Sequence, residues 1–85
     1  MRAESSVQLT VYSRSGCRLC DELVARLRPL QIRFDFELAV LDVDRDPMLC
    51  SRYGEDVPVL MHGSRELCRH RLDHATVTDY LMRMG

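Results

Sequence analysis

The feature that most constrains the fold is a junction near the start of the chain, where a strand-like pattern changes to a helical one. Residues 7–12 carry apolar side chains at every second position, which predicts a strand. After a turn at residues 13–16, apolar side chains recur every three or four residues over 17–28, which predicts a helix that Pro29 ends or kinks. A strand followed directly by a helix favours a βαβ unit, in which the next strand lies parallel to the first.

The rest of the chain predicts three further strands and two helices. The predicted elements are a strand at residues 34–43, a short helix at 46–54, strands at 57–61 and 66–68, and a helix at 73–84. Asp46 is the predicted N-cap of the short helix, and Gly54 its left-handed C-cap. Asp73 and Thr76 are alternative caps of the last helix. The run at residues 38–41 is apolar throughout and reads as buried.

The order of elements predicts an α/β fold with a mixed four-stranded sheet. The βαβ unit supplies a parallel pair, whereas the tight turn around Gly63 favours an antiparallel hairpin. The predicted arrangement is therefore β-α-β-α-β-β-α, with the helices packed on the sheet.

Length and composition limit the chain to one small globular domain. It has 85 residues, of which 46% are hydrophobic and 29% are charged, as in ordinary folded domains. The net charge of −1 argues against a nucleic-acid-binding protein, and every apolar run is too short to span a membrane. We expect an N-terminal extension at residues 1–6 and a domain at residues 7–85. We also expect a cytoplasmic monomer with neither nucleic-acid nor membrane partners.

The motif Cys17-Arg18-Leu19-Cys20 carries the main chemical signal, because it begins the first helix directly after a strand. The unpaired N–H groups and positive dipole end of a helix favour a thiolate at Cys17, and the nearby Arg14 and Arg18 add positive charge. Cys20 lies on the apolar stripe, which suits a less exposed, resolving thiol. The position of the pair favours redox chemistry, whereas a chance pair or half of a metal site are the alternatives.

Val57-Pro58 is the second signal, because proline is unusual at the start of an interior strand. One reason for it is a cis peptide bond that brings the backbone close to the turn before the cysteines. The alternative is a trans proline that ends a loop.

Together these motifs make the chain resemble the glutaredoxin-like proteins of the thioredoxin-fold superfamily over roughly residues 7–84. The segment Asp42-Val43-Asp44-Arg45-Asp46-Pro47 is similar to a small bacterial subfamily of that group. The resemblance implies thiol–disulfide exchange, in which Cys17 attacks and Cys20 resolves. It also implies a cis Pro58 that shapes the substrate site with Val57, and a protein disulfide or a low-molecular-weight thiol as substrate.

Departures from the family pattern predict weak use of glutathione as a co-substrate. Glutaredoxins usually carry Pro-Tyr between the cysteines, Thr before Val-Pro, and Gly-Gly after the fourth strand. This chain has Arg18-Leu19, Asp56 and Cys68-Arg69-His70 at those places, although Arg14 matches a basic residue that contacts glutathione. The side chains of residues 68–70 would fill space that paired glycines leave open.

No resident cofactor or metal is predicted from the remaining residues. Cys50 and Cys68 are expected to fill the core as small apolar side chains. The acidic series at residues 42–46 lacks the glycine of a calcium loop and is expected to cap a strand and a helix instead. The alternative function is a redox-silent, metal-binding or iron–sulfur-binding module on the same fold.

Overall fold

The computed structural model describes residues 7–84, which form four strands and three α-helices. The elements are β1 (Gln8–Ser13), α1 (Arg18–Phe34), β2 (Glu37–Asp42), α2 (Pro47–Tyr53), β3 (Val59–His62), β4 (Arg65–Arg69) and α3 (His74–Met84). A single 3₁₀ turn at Val43–Arg45 joins β2 to α2. The order of elements agrees with the prediction, and the predicted extension at residues 1–6 lies outside the described residues.

The strands form one mixed sheet in the order β2-β1-β3-β4. β1 pairs in parallel with β2, from Gln8 opposite Glu37 onward, which confirms the predicted βαβ unit. β1 and β3 are antiparallel, with Tyr12 opposite Val59. β3 and β4 form the predicted hairpin. The mixed four-stranded sheet of the α/β prediction is therefore confirmed.

α1 continues past Pro29 to Phe34, so of the two predicted effects of this proline, an end or a kink, the end of the helix is wrong. Proline removes one backbone hydrogen bond, but Leu30 continues the apolar stripe and is 3% exposed. The helix ends at Asp35, which adopts the left-handed conformation (φ 59°) and donates its N–H to Gln31 O at 2.8 Å. Burial of the stripe outweighs the single lost hydrogen bond.

β2 is shorter and more exposed than its sequence predicts. It begins at Glu37 instead of residue 34, because α1 extends to Phe34. β2 lies at an edge of the sheet, and Val40 and Leu41 are 48% and 44% exposed. The interpretation of residues 38–41 as a buried run is therefore wrong, since an apolar run does not by itself distinguish an edge strand from a central one.

The ends of α2 and α3 show which residues cap them. Asp46 accepts the Met48 N–H at 2.9 Å, as predicted for α2. Gly54 has φ −55°, so the predicted left-handed cap is wrong. Glycine is needed there because a Cβ would lie 2.5 Å from Cys50 O and crowd a guanidinium. At α3 the cap is Asp73, which accepts the Thr76 N–H at 3.1 Å.

The core lies between the sheet and the helices α1 and α3. Its buried residues are Leu9, Val11, Leu23, Leu27, Leu30, Phe36, Leu60, Val77 and Leu81. These side chains come from β1, α1, β3 and α3, with Phe36 from the connection before β2, so the core fixes the start of α1 against the sheet. No helix within residues 7–84 is long and apolar enough to cross a membrane.

Candidate active site

The turn between β1 and α1 presents the two cysteines at the start of the helix. Gly16 adopts φ +75°, a conformation that glycine enters without strain. The next residue, Cys17, is the N-cap of α1, and its Sγ accepts the Cys20 N–H at 3.1 Å. The sulfur therefore occupies the position where a side chain satisfies the free N–H groups of a helix, and a negative charge there is stabilised.

The sulfurs of Cys17 and Cys20 lie at disulfide distance, with their Cα atoms 5.2 Å apart. The two cysteines differ in accessibility. Cys17 is half-buried at the end of the helix, whereas Cys20 is 2% exposed. A disulfide partner that approaches from solvent therefore meets Cys17 first.

The charged residues around the first turn of α1 partly cancel one another. Arg18, between the cysteines, has a side chain that is 91% exposed and lies 3.7 Å from Glu22. Asp21 is acidic and exposed in the same turn. Such exposed pairs contribute little free energy, so the helix end itself is the main local source of positive potential at Cys17.

Pro58 lies beside the cysteine turn. The Val57–Pro58 peptide bond is cis. Because Tyr12 is opposite Val59 in antiparallel register, one further step places Pro58 opposite Ser13, at the end of β1 that leads to Cys17. The carbonyl of Pro58 accepts the His70 N–H at 2.7 Å. His70 itself has φ +70°, a left-handed conformation that is unusual for a residue with a Cβ.

An ion-pair cluster links Asp56 to the end of β4. The Arg69 guanidinium lies 3.0 Å from Asp56 and 2.6 Å from Glu66, and His70 Nε2 lies 3.6 Å from the same Asp56 carboxylate. The hydrogen bonds from Arg69 lower the pKa of Glu66. The sequence indicated Asp56 and Arg69 as separate influences on a ligand, but in the fold each is partnered by the other.

Arg14 is held in a network that sequence analysis missed. Its guanidinium donates to Asp44 through two hydrogen bonds of 3.0 and 2.9 Å, and to Gly54 O at 3.0 Å. These hydrogen bonds lower the pKa of Asp44. Arg14 thus ties the end of β1 to the 3₁₀ turn and to α2. The acidic series at residues 42–46 was the available signal for this partner, although sequence spacing alone does not pair it with Arg14.

The two remaining cysteines have different surroundings. Cys68 packs against the core as predicted, and its burial raises the pKa of its thiol. Cys50 does not join the core. Its Sγ lies 3.6 Å from Arg14 and 3.7 Å from Asp44, so the core-filling expectation for Cys50 is wrong. Within residues 7–84, no group of three His, Cys, Asp or Glu side chains is arranged to hold a metal ion.

A groove of about 350 Å³ adjoins the cysteine motif. One wall is formed by α1 and the other by the segment that follows β4. Its lining residues are Leu19, Glu22, Leu23, Arg26, His70, Arg71 and Leu72. Leu19 lies between the two cysteines in the sequence, so the groove adjoins the start of α1.

Comparison with known protein families gives a match over almost the whole described chain. The model of the family described as "Glutaredoxin-like domain (DUF836)" matches residues 8–82. An uncharacterized protein of Mycobacterium tuberculosis (strain ATCC 25618 / H37Rv) is 28% identical over 78 residues, a match that covers 80% of each chain.

Solved structures show the same architecture. Protein Ne2328 from Nitrosomonas europaea is 41% identical with a TM-score of 0.80, over 87% of this chain and 89% of that one. Protein XcR50 from X. campestris is 34% identical with a TM-score of 0.70, over 88% and 96% of the two chains. Thioredoxin 1 from Thermosipho africanus is 17% identical with a TM-score of 0.61, over 91% of this chain and 97% of that one. With its thioredoxin fold and its two cysteines at disulfide distance, this chain belongs to the glutaredoxin-like domain family.

Proposed function

We propose that the protein is a thiol–disulfide oxidoreductase in which Cys17 is the nucleophile and Cys20 the resolving thiol. The observation that carries the proposal is the unequal placement of two bondable sulfurs, with Cys17 at the helix N-terminus and Cys20 buried one turn inside. A structural disulfide would not need one sulfur to remain accessible at a helix end. An exchange catalyst needs that arrangement for its first step.

In the first step the Cys17 thiolate attacks one sulfur of a substrate disulfide. A bond forms between Cys17 and that sulfur, while the substrate S–S bond breaks and the second substrate sulfur leaves as a thiolate that takes up a proton. The Cys20 N–H that now contacts Cys17 Sγ at 3.1 Å stabilises the attacking thiolate before the step.

In the second step Cys20 loses its proton and attacks Cys17 Sγ. The Cys17–Cys20 disulfide forms and the remaining substrate thiolate is released, so the substrate gains two electrons and the protein loses two. The Cα separation of 5.2 Å lies within the range that a disulfide requires, so the backbone need not move to close the bond. A thiol or dithiol reductant then returns the pair to its reduced form.

We also propose that glutathione is a poor reductant of this disulfide. Arg69 is engaged by Asp56 and Glu66, and Arg14 by Asp44, so neither guanidinium is free for a glutathione carboxylate. His70 carries a side chain on a left-handed backbone, where glycine would leave room for close approach. A small dithiol needs no such subsite, because it reduces a disulfide by forming a ring.

The test is to measure the reduction of a small uncharged disulfide with catalytic amounts of the protein and a dithiol as electron source. We expect turnover by the unaltered protein and none by Cys17→Ser. When the reduced Cys20→Ser variant is mixed with the substrate disulfide without the dithiol, it should accumulate as a mixed disulfide, because no second thiol is present to resolve the first step. Cys68→Ser is the matched control, since the Cys68 thiol is half-buried and its pKa is raised.

The same reaction with glutathione in place of the dithiol tests the choice of reductant. We expect the rate with glutathione to be at least about tenfold lower than the rate with the dithiol at equal thiol concentration. This corresponds to an activation free energy that is about 1.4 kcal/mol higher. Equal turnover by Cys17→Ser would contradict the assigned nucleophile, and brisk glutathione turnover would contradict the proposed reductant preference.

A further inference from the structure

The groove beside the redox pair has a composition suited to an anionic substrate. Leu19, Leu23 and Leu72 supply its apolar lining. Arg26 lines one wall and Arg71 the other, and within residues 7–84 neither guanidinium has a hydrogen-bond or ion-pair partner. The groove thus combines apolar surface with two permanent, unneutralised positive charges.

The acidic residue of the groove cancels only part of this charge. Glu22 also lines the groove, with its carboxylate 3.7 Å from Arg18, one turn earlier on the same helix, and the two arginines leave the lining with a net positive charge. The chain as a whole carries a net charge of −1, so this cationic surface is local and does not reflect a basic protein. By contrast, the other arginines near the site, Arg14, Arg18 and Arg69, are each paired with a carboxylate.

The groove starts close to the cysteine turn and runs along α1, because its first lining residue, Leu19, follows Cys17 by two positions. Arg26 follows Cys17 by nine residues, a distance of about 14 Å along the helix axis. An extended peptide covers that distance in about four residues. The opposite wall is fixed, because the His70 N–H is hydrogen-bonded to Pro58 O at 2.7 Å. A substrate whose cysteine reaches Cys17 would therefore bring a residue about four positions away close to Arg26 and Arg71.

From these observations we propose that the groove selects disulfide-containing peptide segments with an acidic side chain about four residues from the reacting cysteine. The Arg26 and Arg71 guanidiniums bind the carboxylate, and the leucines contact the intervening residues. Complementary charge of this kind acts mainly on the association rate and weakens with added salt. This inference rests on the proposed exchange activity and specifies its substrate class.

The test uses short peptides whose single cysteine is in a disulfide with mercaptoethanol, with either Glu or Gln four positions before or after it. The rate of reduction by the reduced protein is measured for each peptide and divided by the rate with the uncharged disulfide of mercaptoethanol. For one placement, we expect the Glu peptide to react about tenfold faster than the Gln peptide at low salt, with the difference falling sharply at high salt.

Substitutions in the groove test which residues cause the difference in rate between the Glu and Gln peptides. Arg26→Gln and Arg71→Gln should each reduce the Glu-to-Gln rate ratio about two- to fivefold, and the double variant should bring it close to one. Glu22→Gln should increase the ratio, because it removes a repulsive charge from the groove. Arg52→Gln, an exposed arginine on α2, is the matched control and should leave the ratio unchanged.

The possible failures are distinguishable. Absence of any reaction with the uncharged disulfide would count against the proposed exchange activity. In that event, amide chemical shifts on titration with Cys→Ser forms of the peptides still test the groove: shifts at Arg26 and Arg71 with the Glu peptide alone would support it. Equal rates or equal shifts for the Glu and Gln peptides would overturn the inference. So would a double variant that slows only reaction with glutathione disulfide, since the occupant would then be glutathione.

Discussion

At the scale of single residues, the chemistry depends on where each sulfur and each charge lies. The sequence predicted Cys17 at the helix start and Cys20 on the buried stripe, because helical periodicity defines both positions. It could not predict that Arg14 binds Asp44, since these residues are 30 positions apart and meet only when β1 and the 3₁₀ turn are assembled. Local sequence patterns are sufficient to predict which residues lie at a helix end. Ion pairs between distant residues can be identified only in the folded structure.

Cys17 should be the most reactive thiol of the reduced protein. Limiting alkylation at neutral pH, followed by peptide mapping, should find Cys17 modified first, because it is accessible and its thiolate is stabilised by the helix end. Cys20 and Cys68 should be alkylated more slowly. Cys20 is buried, and burial raises the pKa of the Cys68 thiol. Preferential labelling of Cys20, Cys50 or Cys68 would show that the helix end does not activate Cys17.

At the scale of elements, apolar periodicity identified β1, α1 and α3, and capping and turn residues indicated α2 and the β3–β4 hairpin. The ends of the elements depended on competition between signals. Pro29 is a strong helix-ending signal, yet the apolar stripe continued through it to Leu30 and Phe34. The left-handed C-cap lies at Asp35, where the sequence offers no glycine, and not at Gly54. In both cases tertiary packing outweighed the local preference of one residue.

The part of α1 after Pro29 should contribute directly to stability. Leu30→Ala should lower the free energy of unfolding by about 2–5 kcal/mol, because Leu30 is 3% exposed within the core. Ile32 is the matched control on the same stretch, since it is 84% exposed and Ile32→Ala should have little effect. Urea denaturation of both variants measures this, and equal effects would contradict a helix that continues through Pro29 with one buried face.

At the scale of the whole molecule, ion pairs and caps at separate places tie the elements together. Asp44 joins β1 to the 3₁₀ turn through Arg14, Glu66 is paired with Arg69 beside the Pro58 segment, and Asp73 caps α3. The pKa of each of these carboxyl groups is lowered in the folded protein, for Asp44 and Glu66 by hydrogen bonds from an arginine and for Asp73 by the Thr76 N–H.

These lowered pKa values predict a loss of stability in acid. A carboxyl group with a lowered folded pKa stabilises the fold above its ordinary value and loses that contribution as the pH falls through the folded value. The ordinary values are 3.8 for Asp and 4.5 for Glu, so the free energy of unfolding should decline as the pH drops below about 4.5. Urea denaturation at pH values from 2 to 7 measures this decline in the free energy of unfolding. The decline should be shallower for Asp44→Asn, and an unchanged slope would show that Asp44 does not contribute to the acid sensitivity.

The proposed mechanism requires Cys17 and Cys20 to exchange electrons as one pair, and a redox titration measures whether they do. The protein is equilibrated in buffers of defined thiol-to-disulfide ratio, and the thiols are then trapped and counted by mass spectrometry, with metal content measured on the same sample. We predict one two-electron transition in which Cys17 and Cys20 gain or lose their thiols together, while Cys50 and Cys68 remain reduced. Independent oxidation of the two cysteines, or a pair that stays reduced around a bound metal, would contradict the account.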